Sequence, residues 1–585
     1  MTARDDARGV YERRFAYVLE VDADTCLNTY GVAPCTASGA VGSECYNTFQ
    51  TCQDQPNYSR GTKTFKFGSR GFAAPAGELI RPYIASVSVA ATEIDPAKGL
   101  ATRSQVSVLL TDEPGSDIEA DQYYATRAAA AGGSLLTRWL ARNRNLAGRF
   151  ARLRSGYVVE PFDWNTFQTE LYVIDSIKGP DKNGTVTLVL SDPIRLADKT
   201  TVPAATDGKL NGAITATATS LVLQSGQGSL YTDPATSGKN EYVRVGDEVI
   251  RYTVLSGDTL SWPDTSYRAQ FGTTAAAQSD SAAVKLCRAW IDKTVKNVVE
   301  DLLNESGVVD AYIDLAGIQT EIDNWLGTNY NFTAIITDPT KTSELLGQVL
   351  RDCGAFGWWS PVDQQFKFKC DMPQLPSEAA PATLTDNASF IDGTVQVELL
   401  EAERITLAAI NYAPVSATAN LKEDKNFLRG ELLADLDAES ANEYGSRIAE
   451  VVQSRWFGTG NENAAKAMVA RKVGRRRDAP RRYTFAVDPK DYDFVVGDLR
   501  YLYTKKVTDF DGTPATVMAR ITKISDKGKR IECEARSTVF ARRYAFIAPS
   551  GYPDFTSATD DEKRYAYICP ASGTVADGTD GNRIL

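Results

Sequence analysis

Four cysteines, Cys26, Cys35, Cys45 and Cys52, fall within 27 residues, separated by eight, nine and six positions. The other five of the nine, Cys287, Cys353, Cys370, Cys533 and Cys569, are scattered over the rest of the chain. Between the four stand Gly31, Pro34, Gly39 and Gly42 and small polar residues, too little apolar surface for the segment to order itself by burial. Such a segment needs a covalent or metal centre to take one shape, and thiols offer three. Two disulfides suit a secreted protein. A structural zinc takes four thiolates, but zinc knuckles pair cysteines two to four residues apart and no pair here is so close. An iron–sulfur cluster accepts four thiolates from a long wrapping loop. Thiol chemistry alone leaves disulfide and metal both open.

Histidine is absent, which excludes Ser–His and Cys–His nucleophile pairs and His-ligated catalytic metals. The 75 acidic residues leave a carboxylate-pair hydrolase formally open. Net charge is −11, whereas a protein that grips phosphates is usually basic, because that affinity comes from Lys and Arg displacing counterions. An acidic surface repels DNA and suits a channel that DNA must pass without sticking. The start, Met-Thr-Ala-Arg-Asp-Asp, is charged and no apolar signal region follows, so no secretory leader is expected. No run approaches the roughly 18 apolar residues of a membrane span. Cytoplasmic synthesis with reduced thiols is the expectation, and it counts against disulfides. At 585 residues the chain should form several domains, since single cores stop growing near about 250–300 residues.

The elements that position the cysteines are strands. Phe15, Tyr17, Leu19 and Val21 alternate on one face before the loop, and residues 62–67 alternate after it; pairing them hangs the loop between two strands. Further strands are predicted at Ile84–Val89, Val106–Leu110, Thr169–Val173 and Thr185–Leu190, with a short helix at Ser134–Leu140. The arginines at 138, 142, 144, 149, 152 and 154 read as a salt-bridged face rather than as DNA contacts. Residues 203–285, rich in Ala, Thr, Ser and Gly, read as a separate β unit with strands at Ser220–Leu223, Tyr242–Tyr252 and Thr259–Trp262. Next, Ile291, Val295, Val298, Val299, Leu302 and Leu303 form a helical stripe ended by Gly307. A second helix is predicted from Asp338-Pro339, burying Leu345, Leu346, Val349, Leu350 and Cys353 and stopped by Gly354. Trp358 and Trp359 then lead into the strand Phe366–Cys370 and read as core aromatics. Helices are expected at Ala441–Phe457 and from about Asn463 to Lys472. The basic run Arg471–Arg482 reads as a linker pairing across a subunit interface, with passing DNA as its functional alternative. Val495–Leu499, Thr516–Ile524 and Arg530–Ala535 read as strands of a small barrel, and the last forty residues as an arm docking on another chain. No phosphate loop and no solenoid or propeller repeat is evident.

The cysteine segment, with Tyr30-Gly-Val-Ala-Pro-Cys35 and Cys45-Tyr-Asn-Thr48, resembles the cysteine module of tail-tip proteins of long-tailed, lambda-like phages. That resemblance implies a four-iron cluster (4Fe-4S) ligated by Cys26, Cys35, Cys45 and Cys52, with zinc as the fallback metal. Residues 245–252 with Gln270-Phe-Gly-Thr-Thr resemble small β modules inserted into phage tail proteins, and the helix, Gly357-Trp-Trp and hairpin resemble the central hubs of phage baseplates, including the T4-type ring of three copies. The implied fold is multidomain and mainly β with α+β: small β-barrel or sandwich hub domains, an inserted β module and an N-terminal cluster loop. Its expected parts are a cysteine module on a β-hairpin (1–70), a hub β domain (71–200), an inserted β module (201–288), an α+β hub domain (289–395), a helix-interrupted β-barrel hub domain (396–545) and an extended C-terminal arm (546–585). The implied function is structural and non-enzymatic, a baseplate hub in the virion, assembled in the host cytoplasm. The implied partners are two further copies in a homotrimer, a distal tail protein, the tape-measure C-terminus and a central tip or fibre protein, with no specific nucleic-acid binding and no stable membrane insertion. Two other readings compete: an iron–sulfur redox enzyme, for which no dinucleotide fingerprint or second cluster motif is present, and a wall-degrading hydrolase or glycan-binding adhesin acting through 203–285.

Overall fold

The computed structural model describes residues 3–538 apart from 11–12, 38–44, 73–74, 97, 103, 112–133, 328, 373–379, 387, 442–446, 510 and 527–529, and beyond 538 only 557, 567–568 and 582–583. The multidomain, mainly β architecture with α+β parts is as expected.

A short helix, α1 (Ala3–Gly9), precedes a closed seven-stranded barrel. Its strands are β1 (Phe15–Cys26), β2 (Arg60–Ser69), β3 (Arg81–Ala90), β4 (Gln105–Thr111), β5 (Phe150–Tyr157), β6 (Phe167–Lys178) and β7 (Thr185–Ser191), in the order β1-β2-β3-β4-β7-β6-β5. Alternation decides which side chains go in. Leu19, Val21 and Ala23 of β1 meet Phe65 and Phe67 of β2 inside, while Glu20, Asp22 and Asp24 point outward. Outward they face arginines of β5: Glu20 lies 3.0 Å from both Arg152 Nε and Arg154 Nε, Arg152 also holds Asp22 at 2.8 Å, and Arg149 holds Asp24. These cross-strand pairs are the salt-bridged face expected of three of the six arginines. Helix α2 (Leu135–Arg142) starts at Ser134, whose hydroxyl caps Thr137 N–H, and drives Trp139 between Phe65 and Phe67 to fill one end of the barrel.

The barrel strands cross the boundary expected at residue 70. β1 and β2 are two staves of the same barrel as residues 81–191, because a lone hairpin would leave one face of Leu19, Val21 and Phe67 wet.

Beyond α3 (Arg195–Lys199) and β8 (Thr201–Val202) the chain builds the inserted module: β9 (Ser220–Val222), α4 (Pro234–Ser237), β10 (Glu241–Val245), β11 (Glu248–Tyr252), β12 (Val254–Ser256) and β13 (Thr259–Ser261). The single run expected at 242–252 is a hairpin, since Gly246 turns the chain at φ 60°. β14 (Val284–Thr294) pairs first with β10 and then with β15 (Asn331–Ile336), giving the sheet β11-β10-β14-β15. The module is therefore tied into its neighbour through one continuous strand. Ile291, expected on a helix, lies on β14 and is 44% exposed; α5 (Val295–Glu305) begins only at the Thr294 cap, and Val295, Val298, Val299, Leu302 and Leu303 are buried.

After α6 (Leu315–Glu321), the helix expected at Asp338-Pro339 starts later. Asp338 is taken by Arg244 at 2.6 Å and Lys285 at 2.8 Å, β16 (Thr340–Lys341) pairs with β8, and α7 (Thr342–Cys353) follows. Leu345, Leu346, Val349, Leu350 and Cys353 are buried as expected, and Gly354 ends α7 at φ 63°, a left-handed cap that costs glycine no Cβ clash. β17 (Ala355–Ser360) and β18 (Gln365–Cys370) form the expected hairpin. Trp358 and Trp359 are both buried, Trp359 Nε1 donating to Leu171 O across to the barrel.

The last part interleaves two units rather than forming one barrel. β19 (Thr383–Thr385), β20 (Gln396–Leu399), β24 (Arg481–Val487), β25 (Leu499–Thr508), β26 (Pro514–Asp526) and β27 (Ile531–Ser537) make a closing sheet ordered β19-β25-β26-β27-β24-β20. Residues 495–498 form a turn, not a strand, with Val495 exposed. Between β20 and β24 the chain leaves to form β21 (Leu407–Pro414), β22 (Phe427–Ala434), α8 (Leu436–Ala441), β23 (Ala449–Gln453) and α9 (Glu462–Arg476), whose apolar side chains join the core of α5 and α7. The helix expected at 441–457 is corrected: 449–453 is a strand parallel to β21, and Trp456 and Phe457 are fully buried beyond it. The β-branched Val451-Val452 pair fits a pleated strand better than a helix. α9 lies where a helix was expected. Most of the arm at 546–585, including Cys569, lies outside the described residues; within it Tyr567–Ile568 pairs with Asn582–Arg583. Among the described residues no helix is long and apolar enough to cross a membrane.

Candidate metal centre

Cys26 is the last residue of β1, and Arg60, its partner in register, is the first of β2, so the cysteine loop hangs from the rim of the barrel between two rigid staves. Backbone bonds gather the cysteines. Cys26 N–H donates to Asn47 O at 2.7 Å, two residues past Cys45. Tyr46 N–H donates to Thr51 Oγ1 at 3.1 Å, one residue before Cys52. Thr36 N–H, beside Cys35, donates to Asp54 Oδ2 at 2.7 Å, two residues past Cys52. Leu27 N–H to Ser59 O at 2.8 Å closes the base. Each cysteine thus sits within two residues of a contact reaching toward another.

None of the four is in a disulfide; Cys45 is buried and Cys26, Cys35 and Cys52 are half-buried. The Cys45 Sγ accepts the Asn47 N–H and the Cys52 Sγ accepts the Asp54 N–H, both at 3.4 Å. These are turns of one kind, Cys-x-Asn and Cys-x-Asp, that aim a backbone dipole at sulfur and favour thiolate. Burial raises the Cys52 thiol, the Asp54 N–H opposes that, and the neighbouring Cys26 and Cys35 raise it further. Among the described residues no three His, Cys, Asp or Glu side chains converge on a single ion.

A cleft of about 380 Å³ opens beside the loop, lined among others by Cys26, Asn28, Tyr46, Lys63, Trp139 and Arg142. Arg142 lies 3.8 Å over the Tyr46 ring, so the helix that plugs the barrel also clasps the limb carrying Cys45. The remaining described cysteines are elsewhere. Cys287, Cys353, Cys370 and Cys533 are buried in cores, and burial pushes each thiol up, away from the reactive thiolate.

The basic run is not a linker, since its first six residues end α9. Lys472 and Arg476 grip Glu450, Arg475 grips Asp371 at 2.9 Å and the Ser537 carbonyl at 2.6 Å, and Arg482 grips Glu398, so these cations are committed within the chain. One polar site escaped sequence reading. A cavity of about 460 Å³ between barrel, β17 and closing sheet collects Arg4, Tyr17, Glu170, Tyr172, Tyr492 and Asp526. Tyr172 O–H donates to Glu170 at 2.7 Å, burial pushes the Glu170 carboxyl up, and Arg4 donates to Ser155 O at 2.9 Å and lies 4.0 Å from Asp526. These residues stand up to 522 positions apart (526 minus 4), and no local pattern signals their meeting.

No family model and no curated protein matches the chain. Among solved structures it is similar to the tail protein from Neisseria meningitidis MC58, at 9% identity and a TM-score of 0.34, covering 78% of this chain and 96% of that one. The 43 kDa tail protein of prophage MuSo2 from Shewanella oneidensis gives 9% and 0.34 over 79% and 96%. Prophage tail protein gp18 from Listeria monocytogenes EGD-e gives 10% and 0.28 over 67% and 86%. At such TM-scores these likenesses establish neither a shared fold nor a shared function.

Proposed function

We propose that the chain is a structural hub at the tip of a long non-contractile phage tail. Three copies form a ring around the DNA channel and join the tail tube to the central tip protein. The observation that best supports this reading is the cysteine loop itself: four cysteines outside any disulfide, gathered on a barrel rim in a segment that resembles the tail-tip cysteine module. Cys26, Cys35, Cys45 and Cys52 would hold an iron–sulfur cluster, which when bound supplies a cross-link among four points of the loop. The chain's own residues do the rest. β1 and β2 fix the ends of the loop, Asn47 and Asp54 N–H groups satisfy two sulfurs, and Arg142 holds Tyr46 against α2. The net charge of −11 and the committed arginines leave a surface on which passing DNA finds little to bind. The distal tail protein, the tape-measure C-terminus and the central tip or fibre protein are its proposed neighbours.

Protein purified without oxygen is expected to be brown, with iron and acid-labile sulfide in comparable amounts and little zinc. Colourless protein with stoichiometric zinc would move the same four cysteines to a zinc site, and two disulfides found by mass spectrometry would remove the metal. Imaging of intact tail tips is expected to show threefold density for this chain around an open channel; a single copy per tip would overturn the hub.

A further inference from the structure

β15 is an edge strand of its sheet, and among the described residues no further strand pairs along its outer side. Thr333 N–H points away from β14 and donates to Trp456 O at 2.8 Å. With the two-residue period of a strand, Ile335 and then Thr337 face the same way. Among the described residues no group outside the strand ladder pairs with the Ile335 N–H or carbonyl, or with the Thr337 N–H. Thr337 is buried, so its unpaired N–H has little access to bulk water.

These groups line a groove of about 660 Å³ between β15 and residues 413–422. Toward one end Thr333 N–H is bonded to Trp456 O, and toward the other Thr337 Oγ1 donates to Ala417 O at 3.4 Å. The walls are apolar, formed by Phe271, Ile335, Val415, Ala417, Leu428 and Phe457, with Val415 42% and Leu428 58% exposed. Arg455 also lines it. Its guanidinium is half-buried, burial lowers its pKa while the charges of Glu344 and Asp352 oppose that, and it makes no hydrogen bond or ion pair among the described residues.

We infer that this groove docks an extended segment of a partner polypeptide, added as a strand along β15, with an acidic side chain of that segment paired to Arg455. The free backbone groups supply the ladder, the apolar walls take alternate side chains, and the unpaired cation sets the charge of the guest. Arg455 and Lys422 both line the groove, and the one carboxylate among its lining residues, Asp338, is already held by Arg244 and Lys285, so a guest carboxylate is favoured there, through a bidentate charge-assisted pair with Arg455. The proposal is independent of the metal centre, which lies at the barrel rim.

The test uses the full-length chain and a labelled peptide, acetyl-Lys-Thr-Val-Thr-Asp-Val-Thr-Lys-amide, followed by fluorescence anisotropy. Saturable binding is expected, weakened at least about tenfold when the peptide's aspartate is replaced by asparagine. Arg455→Gln should weaken it by a similar factor. Ile335→Pro should abolish it, since it removes an N–H that faces away from β14 and leaves the inner ladder intact. Equal affinity for the two peptides, or binding indifferent to Arg455→Gln, would overturn the inference. So would sedimentation showing that Arg455→Gln weakens self-association in the absence of peptide, because the groove would then belong to a second copy of this chain. The peptide pair reads the charge preference on unaltered protein, so the inference stays open to refutation even if Ile335→Pro fails to fold.

Discussion

Arg268→Ala should unfold the inserted module, residues 203–285, at a cost of about 3–5 kcal/mol, the range found when a buried ion pair loses one partner. Arg268 and Glu248 are 3% and 1% exposed. Nε and Nη2 of the arginine reach the two carboxylate oxygens at 2.5 and 2.6 Å. Nη1 donates to the Thr215 and Ala218 carbonyls, and Nη2 also to the Ala276 carbonyl at 2.9 Å. The carboxylate accepts two further bonds, from Ala269 N–H at 3.2 Å and Ala276 N–H at 3.1 Å. All five N–H bonds of the guanidinium are used, so Arg268→Lys should rescue little. Removing the arginine leaves a buried carboxylate with two backbone donors only, and frees the loops at 215–218 and 269–276. The second loop is strained besides: Ala269 and Phe271 sit at φ 53° and 52°, left-handed conformations that side chains tolerate poorly and that the staple holds in place. Calorimetry should show an early transition, and limited proteolysis cuts confined to 203–285. The pair Glu248→Met with Arg268→Met should regain most of the loss, because apolar side chains of similar volume leave no charge to desolvate. If Arg268→Ala costs no more than Arg530→Ala on the exposed surface, the staple has no such role.

This module shows what local pattern can and cannot convey. Its strand at 220–222 follows from alternation, but the turn at Gly246 was read through as one strand, and the Glu248–Arg268 pair joins residues twenty positions apart that periodicity does not register. The same division runs through the chain. The strands flanking the cysteines, the Ser134 cap and the buried stripe of α7 were legible because each is set by residues within four or five positions. Asp338 looked like a helix cap, and it is drawn off by Arg244 and Lys285 from another unit. Val451-Val452 fell inside the helix expected at 441–457, while β21 offered a strand partner some forty residues away. The expected boundaries at 70, 288 and 395 fell at changes in composition, yet β1 and β2 close the barrel with later staves, β14 spans two units, and 405–473 return to the core of α5 and α7. Domain interleaving leaves no compositional mark. At the cysteine loop, residue type and spacing pointed to a centre, whereas the Asn47 and Asp54 N–H bonds and the Arg142 clasp depend on how the loop is folded back.

Cys45→Ser should give soluble, colourless protein whose loop from Leu27 to Ser59 has lost its order while the barrel, α7 and the closing sheet remain folded. The loop has almost no other means of holding its shape. Its large apolar residues face solvent, Leu27 at 68%, Val32 at 56% and Phe49 at 38% exposed, so burial contributes little. A fully buried side chain of that size contributes about 1.5–3 kcal/mol, whereas a structural metal centre contributes on the order of 10 kcal/mol to local folding. The barrel is another matter: Leu19, Val21, Phe67 and Val108 are fully buried without any help from the loop. Hydrogen exchange should separate the two. The amides of Cys26, Leu27, Thr36 and Tyr46, whose bonds gather the loop, should lose protection in the variant, and those of Val18 to Val21 should keep it. Cys533→Ala should leave colour and loop protection unchanged, since that thiol is buried in the closing sheet. Tails assembled with Cys45→Ser should lack functional tips. A centre that acts by holding geometry needs no electron transfer, so a redox-inert replacement spanning the same four sulfurs should restore assembly. Infectious particles formed at normal yield by Cys45→Ser would refute the scaffold role, and restoration that required a redox-active centre would hand the loop to electron transfer instead.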